Sequence, residues 1–182
     1  DYGCQAPVAA LREVFARQGI AVAAAEARRA MGLPKKEHLR EITASRGLDL
    51  DVDALNAQFE PIQTELLELH SDVIPGVPEA VERFRARGLK IGSTTGYTRP
   101  MLEVVMRHAE ARNFRPDFTV TPEEAGGGRP WPWMAWRNLL ELRAGSARQG
   151  VKIGDTISDI EEGRNAGMWT IAVARTGNET GL

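Results

Sequence analysis

The chain predicts an α/β fold: a parallel sheet flanked by helices, preceded by a block made only of helices. Three observations carry this. From Pro75-Gly76-Val77-Pro78 onward, short apolar strands alternate with helical segments, the pattern of a parallel sheet with helices on both faces. Before that point, residues from about Pro7 to His70 give no strand signal. Finally, the apolar run Val151-Lys152-Ile153 stops at Gly154-Asp155, and open α/β sheets bind their ligands just outside the carboxyl ends of the strands.

The elements follow in order. Ala9, Leu11, Val14 and Phe15 form a helical stripe that stops near Gly19. Ala23 to Met31 is alanine-rich and helix-prone. Pro34 suits a first helical turn, with a helix over Lys35 to Ser45 behind it. Asp53 is read as the cap of a longer helix that buries Leu55, Phe59, Ile62, Leu66 and Leu67. A helix then runs to about Arg87 and ends at Gly88, and Leu89 to Ser93 reads as a short buried strand. Helices over about Arg99 to Ala111, Trp133 to Leu142 and Ile157 to Ala166 alternate with strands at Phe118 to Val120, Val151 to Ile153 and Trp169 to Ala174. Gly126-Gly127-Gly128 reads as a flexible loop. The expected division is a helical cap over residues 5–72 and an α/β core over residues 73–182.

Composition narrows the function classes. The 182 residues are 42% hydrophobic and 26% charged, ordinary values for a globular protein. A formal net charge of −2 gives no electrostatic case for nucleic acid or an acidic membrane. No apolar run approaches the roughly 20 residues that span a bilayer. The single cysteine, Cys4, excludes an internal disulfide framework and fits a reducing compartment. No secretory leader is visible, so a cytoplasmic location is expected.

Several residues invite chemistry. Asp155 and Asp159, four positions apart behind a strand end, offer the hard oxygen ligands that Mg²⁺ favours. Only Lys152 stands nearby in sequence to pair with them, and Asp159 or Ser158 is also a natural helix cap. Thr95 follows a strand and precedes a helix, where a hydroxyl and backbone N–H groups can hold a phosphoryl oxygen or simply cap the helix. Arg129 carries the planar fork that matches phosphate oxygens, although an arginine in a Gly-Pro loop is ordinarily a surface residue. Lys35, with Lys36 and Arg40 near it and apolar Met31 and Leu33 before it, is a candidate amine nucleophile. The pattern does not separate it from Lys36, or from an ordinary solvated lysine. His38 shares a helix face with Lys35; it is either a proton shuttle or a surface histidine.

The run Gly-Asp-Thr-Ile-Ser-Asp over 154–159, followed by Gly163-Arg164-Asn165-Ala166-Gly167-Met168-Trp169, resembles the last metal-binding motif of the haloacid dehalogenase superfamily. Its wording is similar to that of the phosphonoacetaldehyde hydrolases within that superfamily. Three other segments agree in order: Met31-Gly32-Leu33-Pro34-Lys35, Gly92-Ser93-Thr94-Thr95-Gly96-Tyr97-Thr98-Arg99 and Gly128-Arg129-Pro130-Trp131-Pro132-Trp133-Met134. The resemblance implies a Rossmann-like core with an inserted helical cap that closes over it. It implies hydrolysis of a carbon–phosphorus bond through a lysine imine, with phosphoryl transfer to an Asp assisted by Mg²⁺. It selects Lys35 over Lys36 for the imine and assigns phosphate contacts to Thr95 and Arg129. Asp155 becomes a direct metal ligand and Asp159 an outer one. Gly32, Gly96, Tyr97 and Cys4 match positions around the substrate, and His38 is placed among the catalytic groups. A small phosphonate substrate and a homodimer formed through the cap are the implied partners.

No segment here matches the nucleophile motif, which ends the first core strand in that family; Asp1-Tyr2-Gly3-Cys4 resembles the sequence just after it. The expectation is that this strand lies upstream of Asp1, and that these residues alone are inactive. The family also continues past the equivalent of Leu182. The competing readings are a phosphatase or phosphomutase of the same superfamily acting on a small phosphate ester, and a catalytically inactive fragment.

Overall fold

The computed structural model describes residues 5–174. The helical block comes first: α1 (Gln5–Ala16), α2 (Ala24–Arg28), α3 (Lys35–Ser45) and α4 (Val52–Leu69). The α/β part follows as α5 (Val77–Ala86), β1 (Gly92–Thr94), α6 (Arg99–Glu110), β2 (Phe118–Val120), α7 (Pro122–Ala125), α8 (Trp133–Glu141), a short 3₁₀ turn (Ala147–Gln149), β3 (Val151–Gly154), α9 (Ile157–Asn165) and β4 (Trp169–Ala172).

Both strand pairings are parallel, as the alternation of elements requires. β1 runs beside β2 with Gly92 opposite Phe118 and Thr94 opposite Val120. β3 runs beside β4 with Val151 opposite Trp169 and Gly154 opposite Ala172. Among the described residues the two pairs are not hydrogen-bonded to each other, so the expected single sheet is present as two parallel pairs. Val151, Ile153, Trp169 and Ile171, register partners on one face of β3–β4, are exposed.

The largest buried cluster lies in the helical block. Leu11, Val14 and Phe15 of α1 meet Leu55, Phe59 and Leu67 of α4, with Leu39 and Ile42 of α3 beside them. Met101 and Val104 of α6 complete the cluster, so the helical block and the α/β part share buried apolar surface. Area removed from water is the main stabilising term here. None of the described helices is long and apolar enough to cross a membrane.

Several boundaries differ from the sequence reading. The second helix stops at Arg28 instead of Met31, because the chain turns through Gly32 at φ +97°. The first strand begins at Gly92 instead of Leu89, and it is not buried: Leu89 is 53% exposed. The last strand ends at Ala172. The Gly126–Gly128 run is packed, not loose. Gly126 closes α7 with a left-handed φ of +78°, and a Cβ on Gly127 would meet Trp133 Cδ1 at 2.7 Å.

The long helix is capped by Asp51, not Asp53. The Asp51 carboxylate accepts from the N–H groups of Asp53 and Ala54 at 2.9 and 3.2 Å. Asp53 lies inside the first turn and pairs with Lys36 in solvent. Asp51→Ala is therefore expected to cost about 1 kcal/mol in urea unfolding. Asp53→Ala, which loses only an exposed ion pair, is expected to cost less than about half of that. The reverse ranking would show that the cap is misassigned.

Candidate active site

Three loops end the strands on one side of the molecule, and one segment of the helical block lies against all of them. That segment is Gly32-Leu33-Pro34, and its closeness is written in glycines. A Cβ on Gly32 would strike the hydroxyls of Thr156 and Ser158 behind β3. A Cβ on Gly96, behind β1, would lie 2.8 Å from the Leu33 carbonyl oxygen. A Cβ on Gly128 would run into the Pro34 ring. The helical block is thus seated on the strand ends.

Lys35 opens α3 directly behind this segment. It is buried, with Nζ 5.2 Å from the centre of the Tyr97 ring, a cation–π arrangement. Lys36 is half-exposed and paired outward with Asp53. The structure thereby separates two lysines that the sequence pattern left equivalent. Arg40 is paired with Glu37 on the surface, and the Lys36 and Arg40 charges are compensated by their own partners.

His38, one turn on, is fully buried and so is not a surface histidine. Burial, with Lys35 nearby, pushes its pKa down from 6.5 to about 3, and the Ala27 backbone offsets this only in part. Neither ring nitrogen completes a hydrogen bond of normal geometry among the described residues. The imidazole is neutral at ordinary pH.

On the α/β side, Thr95 follows β1 directly. Its Oγ1 accepts the Tyr97 N–H at 3.1 Å, so Thr95 and Tyr97 are locked into one turn. Gly96 lies between them, under the Leu33 carbonyl.

Arg129 is no surface residue: its side chain is 11% exposed. Nη2 donates to the Thr94 carbonyl at 2.8 Å and to Thr94 Oγ1 at 3.0 Å, and Nε donates to Glu162 Oε2 at 3.3 Å. Burial works against the guanidinium charge, but Asp159 and Glu162 together raise its pKa above the ordinary arginine value.

Asp155 follows Gly154 at the end of β3, half-buried. Gly154 is required for the space beside it, since a Cβ there would lie 2.5 Å from Asp159 Cγ. Asp159 is 4% exposed. Its Oδ1 takes Lys152 at 3.0 Å and Arg129 at 3.1 Å, and its Oδ2 accepts from Thr156 Oγ1 at 2.6 Å. Burial would raise its pKa, but Arg129, Lys152 and the Thr156 hydroxyl hold it down at about 2. Thr156, not Ser158 or Asp159, caps α9, accepting the Asp159 N–H.

The two carboxylates suit Mg²⁺ in kind. Asp155 is an oxygen donor at a strand end, whereas both oxygens of Asp159 are already held, which fits an outer position. Among the described residues no group of three or more His, Cys, Asp and Glu side chains is arranged to hold a metal. Mg²⁺ commonly takes only one or two carboxylates, with substrate and water completing its shell.

The sequence reading misses Thr94 and Glu162, whereas Lys152, the lysine near the two carboxylates in sequence, pairs with Asp159. Glu162 stands three positions after Asp159, on the same face of α9, and that spacing was the available signal. Cys4 lies outside the described residues.

Residues 4–173 match the family model described as haloacid dehalogenase-like hydrolase. A phosphonoacetaldehyde hydrolase of Bacillus cytotoxicus is 44% identical over 195 aligned positions, covering 100% of this chain and 74% of that protein. The Bacillus cereus enzyme of the same name is 41% identical over the same span. A crystal structure of a phosphonoacetaldehyde hydrolase-like protein from Oleispira antarctica superposes with a TM-score of 0.94 at 38% identity, covering 100% of this chain and 71% of that one. The chain is a haloacid dehalogenase-like hydrolase and belongs, within that class, to the phosphonoacetaldehyde hydrolase family. Its α/β fold with parallel strands and many helices is the fold of that class.

The buried neutral His38 leaves a mark on stability. Between pH 6.5 and about 3 the unfolded chain binds a proton at this residue and the folded chain does not. Stability is therefore lost as pH falls below 6.5, with a slope of up to about 1.4 kcal/mol per pH unit from this one group. His38→Leu should flatten that part of the dependence, read from urea unfolding near neutral pH and again near pH 5. An identical slope in both proteins would mean that His38 protonates freely in the folded state.

Proposed function

We propose that the protein cleaves the carbon–phosphorus bond of phosphonoacetaldehyde, giving acetaldehyde and phosphate. The observation that carries the proposal is the burial of Lys35 against Tyr97, directly behind the segment seated on the ends of β1 and β3. The names of the relatives, at 41–44% identity, support the same substrate.

Carbon is a poor leaving group, so the chemistry depends on the aldehyde. The neutral Lys35 amine adds to the carbonyl carbon, and loss of water leaves an imine. Once protonated, the imine accepts the electron pair of the carbon–phosphorus bond as phosphorus passes to an oxygen nucleophile. Carbon is released as an enamine. It takes up a proton, and hydrolysis of the resulting imine returns acetaldehyde and Lys35. Water then takes the phosphoryl group from the accepting oxygen and releases it as inorganic phosphate.

Arg129 and Thr95 orient the phosphoryl oxygens, with Gly96 allowing the backbone close approach. His38, neutral and one turn from Lys35, supports a proton relay during imine formation in which one ring nitrogen accepts as the other donates, so that no imidazolium is held. Gly32 keeps the cap segment close to the strand ends, which excludes water from the reacting atoms. Asp155 would hold Mg²⁺ directly and Asp159 would orient its shell; when bound, the ion offsets phosphoryl charge.

Borohydride reduction in the presence of phosphonoacetaldehyde tests the imine without requiring turnover. A single adduct at Lys35 is expected by mass spectrometry. Lys35→Arg, which keeps the charge but cannot condense, should abolish it, while Lys36→Arg should leave it largely intact. Labelling that follows Lys36 instead, or none in a folded protein, would overturn the proposal. A protein of this class acting on a phosphate ester would form no adduct at all.

The metal reading has its own test. Asp155→Ala should remove Mg²⁺ binding measured by calorimetry. Asp159→Asn should weaken it on the order of 10–100-fold, as changes to outer partners do. Equal tolerance of both would take the metal away from these residues.

A further inference from the structure

Two charged side chains around Arg129 have no part in the reaction just described, yet they are among the most buried in the protein. Lys152 is 8% exposed and Glu162 is fully buried. Lys152, in the middle of β3, reaches Glu162 Oε2 at 2.6 Å, Thr94 Oγ1 at 2.7 Å and Asp159 Oδ1 at 3.0 Å. Glu162, on α9, lies against Arg129 as well. Glu162 Oε1 is buried with no hydrogen-bond partner among the described residues. The result is a connected set of two cations and two carboxylates that balance one another, with the Asp155 carboxylate acting on Arg129 from beside it.

The balance matters because Arg129 faces both carboxylates. Without Lys152 they would outnumber it, and the region that must accept a phosphoryl dianion would carry net negative charge. Buried charges at such distances are poorly screened. Lys152 also competes for Asp159 Oδ1, so it withholds negative charge from a cation near Asp155.

We infer that Lys152 and Glu162 are positioning residues that set the charge of the phosphoryl site. Lys152 compensates the carboxylates so that Arg129 remains attractive to an anion, and Glu162 anchors both cations. The inference rests on the proposal that Arg129 contacts the phosphoryl group, but not on the imine.

An electrostatic role has a signature that damage to packing lacks: anion and cation affinities move in opposite directions. Inorganic phosphate and Mg²⁺ are titrated separately by calorimetry into the wild type, Lys152→Met, Lys152→Arg and Glu162→Gln, each with a thermal melt. Lys152→Met should weaken phosphate about tenfold while Mg²⁺ binds as before or more tightly. Lys152→Arg should restore phosphate affinity. Glu162→Gln should bind Mg²⁺ more weakly and phosphate no worse. Should Lys152→Met not fold, the Lys152→Arg and Glu162→Gln pair still decides the matter. Loss of both affinities together with a lower melting temperature, or unchanged phosphate binding in a folded Lys152→Met, would overturn the inference, as would a wild type that does not bind phosphate. Phosphate binding of the expected pattern without a borohydride adduct would refute the imine reading and leave this inference standing.

Discussion

A buried set of side chains links the two parallel strand pairs. Thr94 at the end of β1 receives Arg129 and Lys152, and it donates its hydroxyl to Glu162. Lys152 belongs to β3, Glu162 and Asp159 to α9. One threonine thereby ties the first strand pair to the second through four charged groups. Such a buried set gives little net stability, because desolvation offsets most of its attraction. What it supplies is position: each member fixes the others, and loss of one leaves an uncompensated charge inside the protein. Arg129 and Asp159 are held in place before any ligand arrives.

The same logic separates the lysines at the start of α3. Helix geometry turns adjacent residues about 100° apart, so Lys35 and Lys36 cannot share an environment. The first faces inward to Tyr97 and the second outward to Asp53. The first is buried and the second half-exposed.

Much of this was legible in the sequence. The strand-and-helix alternation after Pro75 gave the α/β class, and ordered motifs brought Gly32, Lys35, Thr95, Arg129 and Asp155 into one reading. What escaped was what depends on neighbours distant in the chain. Leu89 to Ser93 has the apolar character of a buried strand, yet the strand starts only at Gly92 and Leu89 is exposed. Asp51 and Asp53 are equally good caps by residue type; only the helix start decides between them. Three consecutive glycines look loose until Trp133 and Pro34 are found packed against two of them. Glu162 reads as an ordinary helix glutamate, because nothing local announces that it meets Lys152 and Arg129.

The contacts of Gly32, Gly96 and Gly128 bear on how such a site can change over generations. Each touches a different partner segment, and at each a single methyl group would collide with backbone, ring or hydroxyl across the gap. Gradual enlargement, the usual way a binding site explores new substrates, is closed at all three positions unless the facing segment retreats at the same time. Variation is channelled instead to the side chains that project past this glycine seam. A lineage altering its substrate would do so by exchanging side chains elsewhere around the site while the seam itself stays fixed.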